Sequence, residues 1–309
     1  MSILVIGDVF VDVKGFPEDT YMPTGRNVGR IEFIHGGVAR NVVEDIANIE
    51  LRPTYIGIVD DTPMGSEVVT KLKKHKVNCD YVLTAPGGMG MWLAVFDNSG
   101  DVAGSISKRP DASPMVALLD EKGDEIFQKV DSVVLQVDLH KDIVKRVFDL
   151  AEKYNIKSYA LVSNMSIAAE RRDFLQKFDC FICNRQEAGL LFLDDYTNTS
   201  ADDLQKILAD KIQRANINSM VVTLGKDGAV YADRNGLSGY CPARNVQVKD
   251  TTGAGDAFCA GVASGLTYGK TLPEAVEIGT HLAASVITSA ENVCPRFRPE
   301  ELGIHFPAE

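Results

Sequence analysis

Short runs of apolar residues alternate along the chain with longer stretches in which apolar residues recur every three or four positions. The short runs are typical of buried strands, and the longer stretches are typical of helices with one buried face. Val38, Val42, Ile46 and Ile49, for example, fall on one face of a predicted helix. Repeated strand–helix units favour an α/β fold with a mostly parallel central sheet.

This alternation predicts elements along nearly the whole chain. The predicted strands span residues 3–7, 54–59, 132–137, 158–162, 180–184 and 219–224, followed by a hairpin at 229–232 and 237–241. The predicted helices span residues 38–49, 65–75, 140–154, 201–215, 253–266 and 272–290. No internal repeat or long linker interrupts the sequence, so we expect a single domain over residues 1–309.

Two segments break the alternation. Residues 13–36 are polar and rich in glycine, and residues 88–108 read as a strand, a "DNSGD" turn and a second strand. The second segment is not followed at once by a crossover helix. They indicate either a small antiparallel sheet that covers one edge of the main sheet as a lid, or a pair of surface hairpins. The rings of Phe33, Trp92 and Phe96 favour the lid, because exposed aromatic side chains need cover.

Composition and charge narrow the function classes. The 309 residues are 45% hydrophobic and 24% charged, which is ordinary for a globular enzyme. The net charge of −11 comes without any basic block, which argues against a nucleic-acid partner. An anionic ligand must then be held by local devices such as helix N-termini and Mg²⁺.

The beginning of the chain and its longest apolar stretches bear on location. The start, "MSILVIGDVFVD", resembles a core strand rather than a signal peptide. No stretch approaches the ~20 apolar residues that span a bilayer. The sequence therefore predicts a cytoplasmic protein without a membrane partner.

The six cysteines are scattered, and we expect them to be reduced. Cys180 and Cys183 form a CxxC motif, but the motif lies inside a predicted strand. Positions i and i+3 of a strand face opposite sides. A shared metal or redox role for this pair is therefore not expected.

The stretch "DTTGAGDAF", residues 250–258, carries the strongest chemical signal. Thr251 or Thr252 is expected to cap the following helix. Gly253 and Gly255 remove side chains where the backbone turns, so that successive N–H groups can point at one anion, and the helix dipole adds positive potential. Asp256 falls in the first helical turn, where a carboxylate either stabilises the helix dipole or serves as a general base for phosphoryl transfer.

Two other glycine-rich stretches resemble phosphate-binding motifs but do not fit them. "GLTYGKT", residues 265–271, is one residue shorter than a Walker A loop and follows a helix instead of a strand. "GAGDAF" has only the first two glycines of the dinucleotide fingerprint, which argues against a dehydrogenase.

The longer stretch "DTTGAGDAFCAG", residues 250–261, closely resembles the C-terminal signature of the ribokinase-like (PfkB) family of sugar and nucleoside kinases. "GDVFVD", "GGVARN", "NRQE" and "TLGKDG" resemble further motifs of that family, and all of them occur in family order. The resemblance implies a three-layer α/β sandwich with a mostly parallel central sheet and a small β-sheet lid formed by about 13–36 and 88–108. It also implies an enzyme that transfers the γ-phosphate of ATP to a hydroxyl, with Mg²⁺ and K⁺ as cofactors.

The resemblance assigns a role to each matching position. Asp256 is the implied catalytic base, and the amides of Gly253, Ala254 and Gly255 form the implied anion hole. The implied acceptor-binding residues are Asp12, Gly36, Gly37, Asn41 and Asp138, and the implied ATP-binding residues are Asn184, Thr223, Gly225 and Gly228. Asn184 and Glu187 are implied to hold Mg²⁺ through water, and Asp250 and Thr252 to bind a monovalent cation.

The sequence motifs indicate the identity of the acceptor less clearly than they indicate the type of reaction. "GGVARN", "GRIEFIHGG" and "DNSGD" are similar to the pseudouridine-kinase branch, whose members phosphorylate a 5′-hydroxyl. Ribokinase-type or fructokinase-type sugar kinases and other nucleoside kinases are the alternatives, and a non-catalytic sugar- or nucleoside-binding protein is a further one. Phe10 replaces a polar residue common in sugar kinases, which suits stacking on a base. "SKRPD", residues 107–111, either closes over the acceptor or forms an ordinary turn, and the lid could pair edge to edge into a homodimer.

Overall fold

The computed structural model describes residues 1–170 and 172–306. The strands are β1 (Ile3–Ile6), β2 (Phe10–Pro17), β3 (Gly29–Gly36), β4 (Thr54–Val59), β5 (Asn78–Thr84), β6 (Gly90–Phe96), β7 (Val102–Lys108), β8 (Ser132–Gln136), β9 (Lys157–Leu161), β10 (Cys180–Asn184), β11 (Ser219–Thr223), β12 (Ala229–Asp233) and β13 (Ser238–Cys241). The α-helices are α1 (Val38–Asn48), α2 (Pro63–Lys74), α3 (Pro114–Phe127), α4 (Lys141–Tyr154), α5 (Met165–Ala169), α6 (Arg185–Phe192), α7 (Ala201–Ala215), α8 (Ala254–Thr267) and α9 (Leu272–Ile287).

The large sheet has the strand order β13-β12-β11-β10-β9-β8-β1-β4-β5. All neighbouring strands from β5 to β11 are parallel, and only β12 and β13 run antiparallel. The predicted mostly parallel sheet is therefore confirmed.

Helices cover both faces of this sheet, so that its strands are apolar on both sides. In β1, Ile3 and Val5 join the core under α1, α8 and α9, whereas Leu4 and Ile6 join the core under α3, α4 and α7. Burial on both faces explains why the strands appear in the sequence as continuous apolar runs. The three-layer architecture expected from the family resemblance is confirmed.

A second, small sheet has the strand order β3-β2-β6-β7. The segments predicted as a lid supply β3, β6, β7 and most of β2, although β2 already begins at Phe10. The sheet is mixed rather than antiparallel, because its two central strands, β2 and β6, run parallel. β2 and β6 can pair in this way because each enters the small sheet directly from the large one.

Two further sequence expectations concern the cysteines and the membrane. Cys180 and Cys183 do face opposite sides of β10, since one lies in each core, and all six cysteines are buried and free. In the part of the chain that the structure describes, no helix is long and apolar enough to cross a membrane.

Candidate active site

The first turn of α8 forms one side of the site. The helix begins after Gly253, which has a φ of 82° and makes no side-chain cap, so the predicted threonine cap is wrong. Only glycine fits at this position, because the backbone is left-handed and a Cβ there would lie 2.0 Å from the backbone oxygen of Asn292. A Cβ on Gly255, in contrast, would have no neighbour within 4 Å, so there is open space in front of this turn.

The amides of this turn differ in their partners. The N–H of Ala254 donates a hydrogen bond to the carbonyl of Thr251 (3.3 Å). The N–H groups of Gly253 and Gly255 have no backbone acceptor among the described residues. Two of the three predicted anion-hole amides are thus free to donate to a ligand at the positive end of the helix.

Asp256 lies in the first turn of α8, as predicted, and faces α1. The side-chain amide of Asn41 donates a hydrogen bond to its Oδ2 (2.6 Å). The oxygen of Asn41 in turn accepts a bond from Asn292 (3.3 Å), which also donates to the carbonyl of His35 at the end of β3 (3.2 Å). A chain of hydrogen bonds therefore links the small sheet, α1 and the carboxyl group of Asp256.

The surroundings of Asp256 tune its ionisation. Burial raises the pKa of Asp256 from 3.8 to about 7, and the carboxylates of Glu187 and Asp12 add to the shift. The hydrogen bond from Asn41 and the charge of Arg40 oppose it. A carboxyl group with a pKa near neutrality is well matched to accepting a proton.

Asp12 lies on β2 of the small sheet and contacts the beginning of the turn before α1. Both of its carboxylate oxygens would lie 2.8 Å from a Cβ on Gly36, so only glycine leaves room for them. Gly37 has a φ of 95°, and a Cβ there would lie 2.7 Å from the carbonyl oxygen of Asp8. Burial raises the pKa of Asp12, while the charges of Lys14 and Arg40 lower it.

Asp138 follows β8 and lies deeper than the other candidate residues. Its side chain is fully buried and forms an ion pair with Arg109 (2.8 Å), which stands just beyond the end of β7. The backbone N–H of Ser163 donates to its second oxygen (3.0 Å). Gln136 links it to Asp8, because its side-chain nitrogen lies 3.4 Å from Asp138 and 3.2 Å from Asp8.

The Asp8 carboxyl group next to this cluster has an unusual environment. Burial and the nearby charge of Asp138 raise its pKa to about 7, and its Oδ1 is buried without a hydrogen-bond partner.

Asn184 and Glu187 form a capping box at the start of α6. The N–H of Asn184 donates to Glu187 (2.7 Å), and the N–H of Glu187 donates to the side chain of Asn184 (2.9 Å). Burial raises the pKa of Glu187, and the charge of Asp138 adds to the shift. The pair therefore has a structural role at the helix start, and it also places a carboxylate close to Asp138 and Asp256.

Thr223, Gly225 and Gly228 lie at the next strand. Thr223 ends β11 and pairs in register with Asn184. Gly225 has a φ of 62° with open space where a Cβ would be. Gly228 has a φ of 88°, and a Cβ there would lie 2.1 Å from the carbonyl of Cys241. Both glycines are required by the tight loop that joins β11 to β12.

Asp250 and Thr252 lie together on the exposed loop before α8. The N–H of Thr252 donates to Asp250 (2.9 Å), and this bond is the main reason why the pKa of Asp250 is lowered. The charge of Lys14 on β2 also lowers it, which places the small sheet next to this loop.

The predicted site residues thus lie at the carboxyl ends of the parallel strands, on β2 and around the start of α8, and we call the surface that they line the groove. Open α/β sheets bind their ligands at such strand ends. Residues that the sequence analysis did not assign are Asp8, Lys14, Arg109, Gln136 and Asn292. Gln136 carried the one usable signal, since it is a polar residue inside the apolar run of β8. Arg109 and Asn292 depend on contacts between distant parts of the chain.

Comparisons with known proteins identify the family of the chain. The model of the pfkB family of carbohydrate kinases matches residues 1–293. The chain is 37% identical over 293 residues to a guanosine-inosine kinase of Exiguobacterium acetylicum, covering 94% of this chain and 96% of the relative. It is 26% identical over 275 residues to the pseudouridine kinase of Escherichia coli, covering 89% and 86%.

Solved structures agree on the fold. The ribokinase of Arabidopsis thaliana, in complex with ribose and ATP, superposes with a TM-score of 0.82 at 18% identity, over 99% of each chain. The family model and the named kinases among the relatives assign the chain to the phosphotransferases with a hydroxyl group as acceptor. The chain belongs to the pfkB family of carbohydrate kinases.

Proposed function

We propose that the protein is an ATP-dependent nucleoside kinase that phosphorylates the 5′-hydroxyl of its acceptor. The observation that carries the proposal is the position of Asp256, which has a pKa of about 7 and stands beside an open glycine turn at a helix N-terminus. A base and an anion-binding turn in contact are what transfer of a phosphoryl group to a hydroxyl requires.

The proposal divides the groove into two halves. The acceptor lies against Asp12 and the Gly36–Gly37 turn, where a partly buried carboxylate can accept hydrogen bonds from two neighbouring hydroxyls. ATP lies along the loop from Thr223 to Gly228, with its γ-phosphate at the first turn of α8. The unfilled space at Gly255 supports this placement, because a phosphate needs room close to the backbone.

The chain's own groups account for the chemistry in this arrangement. Asp256 accepts the proton of the acceptor hydroxyl while the oxygen attacks the γ-phosphorus in line. The N–H groups of Gly253 and Gly255 stabilise the charge on the transferring phosphoryl group. Asn41 orients the base through its hydrogen bond to Oδ2. Closure of the small sheet over the acceptor would exclude water and so limit hydrolysis of ATP.

The fit of the proposed cations differs between the two sites. Within the described residues no three His, Cys, Asp or Glu side chains are grouped to hold a metal directly. Glu187 has one oxygen outside its capping bond, which suits Mg²⁺ held by the triphosphate and contacted through water. Bound Mg²⁺ would neutralise charge on the phosphates. Asp250 already accepts hydrogen bonds from Thr252 and Thr251, so K⁺ would have to share its oxygens with these donors.

The identity of the acceptor base is the finer part of the proposal. The similarity to a guanosine-inosine kinase makes a purine nucleoside the first acceptor to test, and pseudouridine, which the sequence motifs favour, is the second. Ribose and fructose represent the sugar-kinase alternative.

We also propose that two copies pair through the small sheet, but through one face rather than edge to edge. This face carries Val11 and Val13 of β2, opposite Asp12, and we call it the outward side. Five large apolar side chains on that side are exposed, namely Ile31 (67%), Phe33 (61%), Met91 (44%), Leu93 (41%) and Ile106 (70%). Monomeric proteins rarely leave such a patch uncovered.

The test of the activity is ATP consumption with guanosine, inosine, pseudouridine, uridine, adenosine, ribose and fructose, each with and without Mg²⁺ and K⁺. We expect turnover with at least one nucleoside, abolished by Mg²⁺ removal. Turnover with a sugar alone would replace the nucleoside proposal by the sugar-kinase one. Binding of a nucleoside without turnover under any condition would identify a non-catalytic binding protein.

A further inference from the structure

The two sides of the small sheet differ in character. Along β2, Phe10, Asp12 and Lys14 alternate with Val11 and Val13 and therefore share one side. That side faces the candidate active site, because the Asp12 carboxylate lies against Gly36 at the turn into α1, whose Asn41 donates to Asp256. The charge of Asp12 also raises the pKa of Asp256. We call it the inner face.

Trp92 lies on the inner face beside the acceptor carboxylate. It pairs in register with Asp12 across the parallel strands β2 and β6, so both side chains point the same way. Neighbouring strands are about 4.8 Å apart, so the indole begins one strand away from the carboxylate. The Trp92 side chain is only partly buried.

Other aromatic rings hold Trp92 in place. Phe96 meets it edge to face, with centroids 6.5 Å apart and an interplanar angle of 89°. Phe96 also stacks on Phe16 at 4.8 Å, and the guanidinium of Arg30 lies 4.2 Å from the Phe16 ring centre. This support fixes the indole in one orientation without covering it.

Phe10 borders the same position from the other side. Its ring lies over Gly90, where a Cβ would be 2.5 Å from the nearest ring atom. Gly90 and Trp92 are two residues apart on β6 and so belong to the same face. The carboxylate of Asp12 therefore has one aromatic neighbour on its own strand, Phe10, and one on the adjacent strand β6, Trp92.

This arrangement matches a ligand that joins two hydroxyls to a flat ring. The carboxylate accepts from the diol, and the aromatic surface next to it stacks on a planar base. A free sugar would leave the aromatic surface bare. A nucleoside carries its base on the carbon next to the diol. The base is thus separated from the diol by a distance like that between the indole on β6 and the carboxylate on β2.

We propose that Trp92 is the residue that selects a nucleoside over a free sugar, by stacking on the base while Asp12 holds the ribose. The proposal rests on the proposed nucleoside kinase activity. Phe10 completes the surface, and Phe96 keeps the indole in its orientation.

The protein offers a direct probe, because Trp92 is its only tryptophan. Titration with guanosine, inosine or pseudouridine, whichever the enzyme phosphorylates, is expected to quench the tryptophan fluorescence, whereas ribose and ATP are not. An unchanged emission at saturation with a phosphorylated nucleoside would overturn the proposal. Equal quenching by ribose would also overturn it, since that would report movement of the sheet instead of stacking.

Two variants supply the functional readout. Trp92→Ala should lower kcat/KM for the nucleoside by about ten- to a hundredfold while leaving the KM for ATP unchanged, and Trp92→Phe should restore most of it. Phe306→Ala is the matched control, because it removes an exposed ring near Tyr268, far from the groove.

The failures of the two proposals look different. A wild-type enzyme that phosphorylates no nucleoside refutes the proposed function. A wild-type enzyme that phosphorylates a nucleoside, together with a folded Trp92→Ala variant of equal kcat/KM, refutes only the role of Trp92. If Trp92→Ala does not fold, the fluorescence titration of the wild type still decides.

Discussion

Asp256 combines two demands that conflict. Catalysis by a general base needs the ionised carboxylate, whereas burial in the first turn of α8 favours the protonated form. The resulting pKa of about 7 means that protonated and ionised forms of Asp256 interconvert near neutral pH.

Activity should therefore rise with pH. We expect kcat/KM to increase along a single limb with its midpoint near pH 7, as Asp256 loses its proton. Asp256→Asn should reduce kcat by about a hundred- to ten-thousandfold and leave the Kd for ATP largely unchanged. Asp210→Asn, on the exposed side of α7, is the control, and steady-state kinetics across pH is the measurement. Near-normal turnover of Asp256→Asn would refute the role of the base.

The stability of the folded protein should fall as Asp256 ionises, whereas the activity should rise. A raised pKa means that the folded state holds the proton of Asp256 more tightly than the unfolded state does. The contribution of this proton to the free energy of unfolding is therefore complete below pH 3.8 and is lost as pH rises through about 7. Asp256→Asn cannot ionise. Its melting temperature relative to the wild type should thus increase from pH 5 to pH 8, and a difference that stays constant would contradict the raised pKa.

At the scale of residues, motif spacing located the groups that lie close in sequence to a glycine turn. Asp256, Gly253 and Asn41 were predicted and are brought together by α8 packing on α1. The ion pair of Arg109 with Asp138 was not predicted, because no local pattern reports a contact between the end of β7 and the end of β8.

At the scale of elements, alanine substitutions at the two glycines of the α8 turn should have opposite effects on the free energy of unfolding. Gly253→Ala should lower the free energy of unfolding by about 1–2 kcal/mol or more, because alanine disfavours positive φ and its Cβ would meet the Asn292 carbonyl. Gly255→Ala has helical backbone and open space, so it should raise the free energy of unfolding by about 0.5–1 kcal/mol.

Activity separates these variants further. Gly255→Ala should lose ATP turnover although it folds well, because its methyl group would fill the space proposed for phosphate. Urea denaturation and steady-state assays measure the two effects. A fully active Gly255→Ala enzyme would show that phosphate does not approach this turn.

The capping box of α6 allows structure and charge to be tested separately. Glu187→Gln keeps the cap, since glutamine also serves at this position, and removes the charge. Glu187→Ala removes both and should cost about 1 kcal/mol of stability. We expect both variants to need more Mg²⁺ for half-maximal activity, measured by titration. If Glu187→Gln behaves as the wild type, the carboxylate serves only the helix.

Elements were predictable where burial produces a clear pattern. The apolar runs of β4 and β10 were predicted at their observed bounds, since both faces of these strands are covered. β5 was missed because it is the edge strand of the large sheet and has only Cys79 fully buried. α3 was also missed, and α6 is so short that its capping motif is clearer than its apolar face.

At the scale of the whole molecule, the net charge of −11 means that the overall field repels ATP. Attraction has to come from the amides at α8 and from nearby cations such as Lys14. Higher ionic strength would weaken the general repulsion over distances beyond about 8–10 Å and leave the close contacts intact.

Pairing through the outward side of the small sheet predicts a dimer in solution. Phe33→Glu should shift the sedimentation coefficient to that of a monomer, because a charge would enter the apolar contact. Leu237→Glu, which alters an exposed apolar residue at the distant β12–β13 turn, should have no effect. A wild-type monomer at micromolar concentration would refute the pairing.

The ion pair between Arg109 and Asp138 also restricts how the small sheet can move. The chain crosses between the two sheets four times: before β2, after β3, before β6 and after β7. A sheet that is attached at four points can move in few ways. The ion pair also fixes the last of these attachments, which follows β7, to the end of β8. Positive φ angles at Gly37 and Gly87 mark two of the crossings as the points where the backbone turns. The small sheet should therefore open and close as one rigid body that turns about these points. One intramolecular distance between the two sheets would be enough to follow this motion.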